Sequence, residues 1–487
     1  MLNQHWINRD ESMTTGWVVL KFGGSSVAEA RHWQTILKII QKKIHSGLKP
    51  VLVLSALKNV SNQLEELLML SLSGEHQQAL ENLKHTHLTF AKSLNLDGET
   101  ILSPSFELLK RSCDRLNQSQ QLTAREHAHI VSFGEIFSSL LGHAFLSKQL
   151  PAQWLDVRSI LKPSRDCYLK TRDDNWHRYV SAEFELNYSR SLDEKLTCLN
   201  KVIITQGFIG CNDNNETILL GREGSDTTAA YLGVLLEAKN VEIWTDVCGV
   251  FTTNPRENHK ARQILKLGYD EARRMAAFGA KILHPRALKP LASGKIPLSV
   301  HGMDSFLKKG TEISENSENN YTIYAVVNEV DLHLLSVPME LATKVNLKIN
   351  ALYNRGFDRV FETIENEQSR LLLKYNNSVK PAPDDAEIQS LFENNAINFK
   401  SDYGLITLIG KALPVNRTSP HWIYEVLEYV KNNDNLQFTH LYVFESVGRL
   451  SFLIRASDLK FWNEKLHAKY IENQFELHPS DYGVGWE

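Results

Sequence analysis

Short runs of apolar and β-branched residues alternate with longer helical stretches between residues 17 and 298, and this alternation limits the fold more than any other feature. Six runs are predicted as strands, at residues 17–20, 51–55, 153–157, 201–206, 241–245 and 297–300. The stretches between them space apolar residues three and four positions apart, as in Phe133, Phe137 and Leu141, which indicates helices. A repeated strand–helix order predicts an α/β fold with a mostly parallel sheet.

The pattern changes after a polar linker at residues 312–320. Beyond it, a β-α-β-β-α order occurs twice, the second time after Tyr403, and this order is typical of ferredoxin-like units. A chain of 487 residues has room for one large domain and smaller ones. We therefore predict an N-terminal extension at 1–16, a large α/β domain at 17–315, and two small domains at 316–402 and 403–487.

Composition excludes several classes of protein. The formal net charge is only −3, with no block of like charge, so nucleic-acid binding by bulk electrostatics is not expected. The five cysteines form no metal-ligand spacing, which favours a reducing compartment. The first 16 residues do not resemble a signal peptide, and we identified no apolar run of the roughly 18 residues that a membrane span needs. We expect a cytoplasmic protein that does not contact a membrane.

The first chemical signal is a lysine at the end of a strand, followed by glycines and hydroxyls: Lys21, then Gly23, Gly24 and Ser25. Glycines let the backbone approach a phosphate closely, and the lysine adds a cation. A tight turn beside an exposed lysine explains this stretch equally well. The P-loop pattern GxxxxGK[ST] and the protein-kinase HRD and DFG motifs do not occur.

A second signal is an arginine, a serine and an aspartate among glycines, at Arg222, Ser225 and Asp226, just before a small-residue helix. These residues suit the capture of a substrate carboxylate close to a polyphosphate. The alternative is that Ser225 or Asp226 only caps the helix.

Two further stretches carry polar residues in positions that suit a nucleotide. Thr245 and Asp246 end a buried strand, and Phe251 and Arg256 follow; ligands bind at such strand ends in open α/β sheets. Lys281, followed by Ile282, closes a predicted helix and could meet phosphate. A strand with a proline-containing turn is the structural alternative for the first stretch.

Glu135 and Ser61 are weaker candidates. Glu135 lies off the apolar stripe of its predicted helix, so solvent exposure is the default expectation. Ser61 follows a strand at a predicted helix entry, where a capping role is the default.

The motifs, in chain order, resemble those of the aspartate kinases, members of the amino-acid kinase superfamily. The matching segments are KFGGSS, SALKNVSNQL, SFGE, QWLDVR, TQGFIG, GREGSDTTAA, EIWTDVCGVFTTNPR and FGAKILHP. The resemblance covers nearly all of the first 315 residues, and the two C-terminal units resemble the paired ACT domains of this family. It resembles the lysine-pathway branch, which includes kinases fused to a diaminopimelate decarboxylase. The fold it implies is an αβα sandwich of the carbamate kinase-like type, followed by two ACT units.

The resemblance implies transfer of the γ-phosphoryl of ATP to the β-carboxylate of L-aspartate, the first step of lysine, threonine and methionine biosynthesis. It assigns catalysis to Lys21, Asp226 and Lys281, and aspartate binding to Ser61, Glu135, Arg222 and Ser225. It assigns ATP binding to Lys21, Gly23, Gly24, Ser25, Thr245, Asp246, Phe251, Arg256, Lys281 and Ile282. Mg²⁺ is implied as a cofactor without a direct protein ligand.

The resemblance also implies an amino-acid effector, lysine or threonine, at the ACT units, and a homodimer or higher homo-oligomer formed through them. Some positions depart from the family pattern. Glu223 and Asn59 stand where the family usually has glycine, and Cys248 replaces a common proline. The loop at residues 336–339 lacks the glycine that lets an effector approach backbone N–H groups, which argues against lysine feedback there.

Three alternatives stay open at this point. The chain could phosphorylate another acceptor, such as N-acetylglutamate or UMP. It could be a catalytically weakened regulatory chain, which the extra charge of Glu223 favours. It could also be the kinase part of a bifunctional polypeptide.

Overall fold

The computed structural model describes residues 16–162, 175–184, 186–277, 283–315, 323–341, 349, 352, 357–365, 367–375, 383–392, 397–410, 421–431, 440–442, 448–473 and 482–485. The chain forms two compact units. The first contains Met1–Val250, Leu265–Arg273 and Lys281–Glu318, and the second contains Phe251–Ile264, Arg274–Ala280 and Asn319–Glu487.

The strands and helices follow one another along the chain as the sequence predicts in outline. The strands are β1 (Trp17–Phe22), β2 (Lys49–Leu54), β3 (Ala152–Trp154), β4 (Val202–Gln206), β5 (Ile209–Cys211), β6 (Thr217–Leu219), β7 (Asn240–Thr245), β8 (Val250–Phe251), β9 (Arg262–Ile264), β10 (Lys266–Gly268), β11 (Leu298–Gly302), β12 (Thr311–Ser314), β13 (Ile323–Pro338), β14 (Phe357–Glu365), β15 (Gln368–Tyr375), β16 (Asn398–Gly410), β17 (His440–Tyr442), β18 (Arg449–Arg455) and β19 (Tyr482–Gly485). The α-helices are α1 (Gly24–Val27), α2 (Ala30–His45), α3 (Val60–Ser73), α4 (His76–Ser93), α5 (Gly98–Ser119), α6 (Ala124–Val131), α7 (Phe133–Ser147), α8 (Asn175–Val180), α9 (Arg190–Leu199), α10 (Gly224–Leu235), α11 (Tyr269–Ala277), α12 (Pro285–Gly294), α13 (Asp385–Ser390), α14 (His421–Lys431) and α15 (Leu459–His467).

The first unit is built on an eight-stranded sheet with the order β10-β12-β11-β7-β1-β2-β4-β3. All neighbours from β11 to β3 pair in parallel, and β12 is antiparallel to β11. The six predicted strands are these six parallel strands, so the predicted α/β class is confirmed. The central strand β1 is buried at every position, including Lys21, which explains why its first four residues are all apolar.

Helix α7 packs so closely on the sheet and on α2 that one contact position has no room for a side chain. Trp33 on α2 is fully buried, and its indole N–H donates a hydrogen bond to the Val27 carbonyl over 3.0 Å. Gly142 on α7 faces this tryptophan and Leu54 of β2. A Cβ atom at position 142 would lie 2.6 Å from Trp33 and 2.4 Å from Leu54. Glycine therefore lets α7 approach the sheet.

The stretch Ala124–Ser147 is long and apolar enough, by length and composition, to cross a membrane. The sequence expectation of no such run was therefore too strict. In this structure 78% of its most apolar window is buried, which is the burial of a core helix. The stretch is divided into α6 and α7, and it carries Glu135.

The second unit contains a six-stranded sheet with the order β14-β15-β13-β16-β18-β17, in which neighbouring strands are antiparallel. One hydrophobic core gathers Leu335, Phe357, Leu373 and Phe399, and another gathers Ile406, Phe452 and Trp462. Two antiparallel sheet regions with separate cores agree with the predicted pair of ferredoxin-like units.

The two cores do not follow the predicted division into 316–402 and 403–487. Ile323 and Val326, at the start of β13, pack in the core that contains Phe452, whereas Leu335, near the end of β13, packs in the other core. A strand of 16 residues is long enough to serve both cores in succession. The predicted domain boundaries assign each strand to one unit in chain order, so they do not allow β13 to contribute to both cores.

Candidate functional site

The carboxyl ends of the central parallel strands meet at one edge of the sheet in the first unit. Ser55 follows β2, and its N–H donates to the Phe22 carbonyl of β1 over 3.2 Å. Gly207 follows β4, and its N–H donates to the Leu54 carbonyl of β2 over 2.9 Å. This is the edge at which open α/β sheets bind ligands.

A buried ion pair lies at this edge. The ammonium Nζ of Lys21, on β1, is 2.6 Å from Oδ1 of Asp226, in the first turn of α10. Their side chains are only 7% and 2% exposed. Burial by itself lowers the pKa of Lys21, but the negative charges of Asp226, Glu223 and Glu135 raise it by more. Lys21 therefore keeps its positive charge in a site that largely excludes water.

Glu135 lies in the first turn of α7 and is only 3% exposed. The Ala56 N–H donates to its Oε1 over 3.3 Å, and its Oε2 is buried without a hydrogen-bond partner among the described residues. Burial raises the pKa of this carboxyl to about 8, although the Ala56 N–H and the Lys21 charge act in the opposite direction. The default expectation of solvent exposure is wrong, because α7 is buried on several sides rather than along one stripe.

The glycine turn after β1 is closely packed against neighbouring strands. Gly23 donates its N–H to the Trp244 carbonyl of β7 over 3.0 Å. A Cβ atom at Gly24 would lie 2.8 Å from the Ala56 carbonyl oxygen, so a side chain does not fit there. Gly24 and Ser25 begin α1, and the first N–H groups of a helix have no partner within it. The Gly23 N–H is engaged by the protein itself, so a phosphate would meet the N–H groups after it.

Two positions where the family pattern expects glycine have left-handed backbone. Asn59 has φ = 68° and Glu223 has φ = 49°. Glycine adopts this region readily, whereas most other residues are strained in it by roughly 1–2 kcal/mol. The glycine preference of these positions therefore has a backbone cause, and Glu223 keeps a side chain at some conformational cost.

Glu223 immediately precedes α10 and interacts with the charges around it. Its pKa is raised by desolvation and by the Asp226 charge, while Lys21 and Arg222 act in the opposite direction. Arg222 is exposed. The pKa of His284 is lowered to about 4, chiefly by burial, then by the charge of Arg286, and also by the charge of Arg222. Lys21 and Asp226 form an ion pair, and the charges of both, together with that of Arg222, act on Glu223, so these four residues form one electrostatic cluster.

Ser225 and Ser61 lie at helix starts without acting as caps. Ser225 is the second residue of α10 and is buried at 7% exposure, packed so closely on Gly207 that a Cβ there would lie 2.4 Å from its Oγ. Ser61 is the second residue of α3 and is half-buried. The cap position of α3 is Asn59, whose side chain makes no capping bond, so the default capping role of Ser61 is wrong.

The predicted nucleotide residues are distributed over both units. Thr245 ends β7, and its hydroxyl donates to the exposed carboxylate of Asp246 over 3.0 Å. Phe251 is buried and Arg256 is exposed, and both belong to the second unit, so their contact with a nucleotide stays a prediction. Lys281 and Ile282 lie outside the described residues.

The sequence predicts the charged residues of this cluster but not the backbone positions that contact them. It missed the Ala56 N–H, which binds Glu135, and the role of Gly207 as the surface on which Ser225 packs. The available signal was position, since Ala56 lies two residues after the end of β2 and Gly207 immediately follows β4. Within the described ranges, no group of three or more His, Cys, Asp or Glu side chains is arranged to hold a metal ion.

Comparisons with known proteins agree with this architecture. The Amino acid kinase family profile matches residues 16–301. The lysine-sensitive aspartokinase 3 of Escherichia coli is 32% identical over 344 residues, covering 70% of this chain and 71% of that protein. The bifunctional aspartokinase/homoserine dehydrogenase of Buchnera aphidicola is 25% identical over 496 residues, covering 96% of this chain and 58% of that protein.

Solved structures match the chain over nearly its whole length. The crystal structure of E. coli aspartokinase III in complex with aspartate and ADP, described as the R-state, aligns with a TM-score of 0.72 and 26% identity, covering 93% of this chain and all of that one. The complex with lysine and aspartate, described as the T-state, aligns with a TM-score of 0.73 and 27% identity, covering 93% and 99%. The chain belongs to the amino acid kinase family and, within it, to the aspartokinases.

Proposed function

We propose that this chain transfers the γ-phosphoryl group of ATP to the β-carboxylate of L-aspartate, giving 4-phospho-L-aspartate and ADP. The observation that carries the proposal is the buried Lys21–Asp226 pair close to a buried glutamate, Glu135, with one unpartnered oxygen. The similarity of the chain to an aspartokinase structure that contains aspartate and ADP supports the proposal that it uses aspartate and ATP.

The chemical difficulty of the reaction is repulsion between two anions rather than proton removal. A carboxylic acid with a pKa near 3.9 is already ionised at pH 7, so the nucleophile needs no general base. Lys21 supplies a permanent positive charge where the acceptor and the phosphoryl group meet, in a place where water does not screen it. Asp226 sustains that charge and orients the ammonium group.

The aspartate is held by its other two charged groups. Oε2 of Glu135 accepts a hydrogen bond from the α-ammonium, which satisfies an oxygen that is otherwise buried without a partner. The Arg222 guanidinium binds the α-carboxylate, and the Ser225 and Ser61 hydroxyls complete the aspartate site. A free amino group is therefore part of the recognised substrate.

The nucleotide occupies the strand ends beside this site. N–H groups after Gly23 face the phosphates. The family resemblance also assigns ATP binding to Thr245, Asp246, Phe251, Arg256, Lys281 and Ile282. Mg²⁺ would be held by the ATP phosphates rather than by a direct protein ligand, since the carboxylate of Asp226 already pairs with Lys21. When bound, the ion neutralises phosphate charge.

Regulation and location follow the same similarity. We propose lysine as the effector, because the E. coli relative is named as lysine-sensitive and its T-state structure contains lysine. Threonine is the second effector to examine. The enzyme acts in the cytoplasm as a homodimer or higher homo-oligomer formed through its ACT-like units.

A coupled assay for ADP release tests the proposed function. With Mg-ATP, we expect turnover with L-aspartate and little with N-acetylglutamate or UMP, because neither offers the ammonium group that Glu135 recognises. Adding lysine, and separately threonine, identifies the effector. Turnover that is equal or greater with N-acetylglutamate would contradict the assignment.

A catalytically weakened regulatory chain is the second candidate, and Glu223 is the observation that favours it. This carboxylate lies in the electrostatic cluster that contains Arg222, so it can compete with the α-carboxylate of the substrate. ATP binding without aspartate-dependent ADP release would favour this candidate over the first.

Replacing Lys21 separates catalysis from binding. We expect Lys21→Met to lower kcat by roughly 10²–10³-fold and to change the KM for aspartate much less, since the lysine stabilises charge that develops during transfer. Lys43→Met is a matched control, because Lys43 pairs with the buried Glu242 elsewhere in the first unit. Unchanged turnover in a folded Lys21→Met enzyme would refute the assignment.

The raised pKa of Glu135 makes aspartate binding depend on pH. Below pH 8 the empty site holds a neutral carboxyl group, and binding an ammonium requires its ionised form. We therefore expect kcat/KM for aspartate to rise up to about pH 8, and Glu135→Gln to remove this rise and increase the KM roughly tenfold or more.

Glu135→Gln weakens aspartate binding, but we expect it to stabilise the ligand-free protein at high pH. A folded-state pKa raised from 4.5 to about 8 means that stability contributed by the neutral carboxyl is lost as pH rises through that interval. Without ligands, Glu135→Gln should therefore raise the Tm at pH 9 relative to the parent and change it little at pH 4. A lower Tm at pH 9 would count against the buried, neutral carboxyl.

Replacing Glu223 tests whether its carboxylate competes with the substrate. Glu223→Gly removes a negative charge and restores the residue that tolerates left-handed backbone, so the KM for aspartate should fall several-fold with little change in the KM for ATP. Glu223→Ala removes the charge while keeping the backbone strain. Equal KM values for aspartate in all three proteins would mean that Glu223 points away from the substrate.

A further inference from the structure

The segment Phe251–Ile264 belongs to the second compact unit, together with the ferredoxin-like cores. Phe251 and Arg256, two of the predicted nucleotide residues, lie in it. Between them, Thr252 and Thr253 are 0% and 3% exposed. The threonines are therefore anchored in the unit's interior, while the predicted nucleotide residues flank them.

Thr252 makes four hydrogen bonds within the second unit, one of them from its own N–H to the Arg262 carbonyl over 2.9 Å. Its carbonyl accepts from the Val326 N–H of β13 over 2.8 Å. Its hydroxyl accepts from the Arg262 N–H over 3.1 Å and lies 2.9 Å from Nε2 of His467 on α15. Since the Arg262 N–H can only donate to this oxygen, the hydroxyl hydrogen is available to donate to His467.

His467 is fully buried, and its two ring nitrogens have different partners. Nδ1 lies 3.2 Å from Oε1 of Glu472, which can only accept when ionised. The Nδ1–H tautomer therefore donates to Glu472 and leaves Nε2 to accept from Thr252. Glu472 also accepts a hydrogen bond from Lys260 over 2.9 Å, and Lys260 belongs to the segment Phe251–Ile264.

Asn463, one turn earlier on α15, makes a parallel connection. The Thr253 hydroxyl donates to its Oδ1 over 3.1 Å. Its Nδ2 group donates to Oδ1 of Asn328 over 3.0 Å and to the Val326 carbonyl over 3.4 Å. Asn463 is 3% exposed, so these bonds replace water at a buried amide, and each is costly to remove.

We propose that Asn463 and His467 are positioning residues for nucleotide binding: through Thr253 and Thr252 they fix the segment that carries Phe251 and Arg256. This inference rests on the proposed function, in which those two residues bind ATP. Two side chains near the C-terminal end of the chain thus set the geometry of a nucleotide-binding segment some 200 residues earlier in sequence.

The test removes one hydrogen bond without changing side-chain shape. Thr253→Val in the full-length chain is expected to raise the KM for ATP roughly three- to tenfold and to leave the KM for aspartate within about twofold. Thr253→Ser keeps the hydroxyl and should restore the parent KM for ATP. Asn463→Leu, which changes only α15, should reproduce the effect of Thr253→Val.

Thr407→Val is the matched control. The Thr407 hydroxyl is buried in the same unit, and its 2.8 Å hydrogen bond is with Ser451 rather than with a residue of 251–264. A merely structural role predicts that this control raises the KM for ATP as much as Thr253→Val does, and that outcome would overturn the inference. An unchanged KM for ATP in both Thr253→Val and Asn463→Leu would overturn it as well.

Titration with a fluorescent ADP analogue separates this inference from the proposed function. If the parent releases no aspartate-dependent ADP, the proposed kinase activity fails, and the analogue's Kd alone decides the positioning role. A Kd raised in Thr253→Val but not in Thr407→Val supports it. Equal Kd values, or no nucleotide binding by the parent, overturn it.

Discussion

Lys21 and Asp226 hold opposite charges 2.6 Å apart at the edge of a parallel sheet, with almost no contact with water. Removing a lysine from water favours its neutral form, and the surrounding carboxylates reverse that tendency. The geometry depends on the fold, because β1 carries the lysine and the first turn of α10 carries the aspartate. Losing either partner would leave an uncompensated buried charge, which is strongly destabilising. The same pair thus ties the stability of the site to its chemistry.

The electrostatics of the empty site suit a substrate that brings both signs of charge. Glu135 stays largely neutral until a cation approaches, since its pKa is raised to about 8 by burial. Arg222 and Glu223 lie in the same cluster at the start of α10, so the cluster mixes attraction and repulsion for an incoming carboxylate. An amino acid with an α-ammonium group and two carboxylates can engage each of these groups. A phosphate acceptor without an ammonium group would leave Glu135 without a charged partner.

The sequence predicts the parallel sheet well because β1, β2 and β4 are buried almost throughout, and each contains a run of three or more apolar residues. It predicts Lys21 because this residue ends such a run before a pair of glycines, and Arg222 and Asp226 because they lie among glycines just before a helix. The environment of Glu135 could not be predicted from helical periodicity, which assumes one buried face, whereas α7 is enclosed on several. The sequence also does not predict that β13 contributes to two cores. This strand of 16 residues contains no turn or break to mark where one core ends and the other begins. The left-handed backbone of Asn59 and Glu223 became visible only as dihedral angles.

The central claim is that one cavity brings cationic groups from distant parts of the chain to two anions that repel each other. A crystal structure with L-aspartate and a non-hydrolysable Mg-ATP analogue tests it most directly. We expect the Lys21 ammonium to lie between the β-carboxylate and the terminal phosphate, the α-ammonium to contact Glu135 and the α-carboxylate to contact Arg222. Density that places Lys21 and Arg222 in separate cavities, or the aspartate away from Glu135, would contradict it.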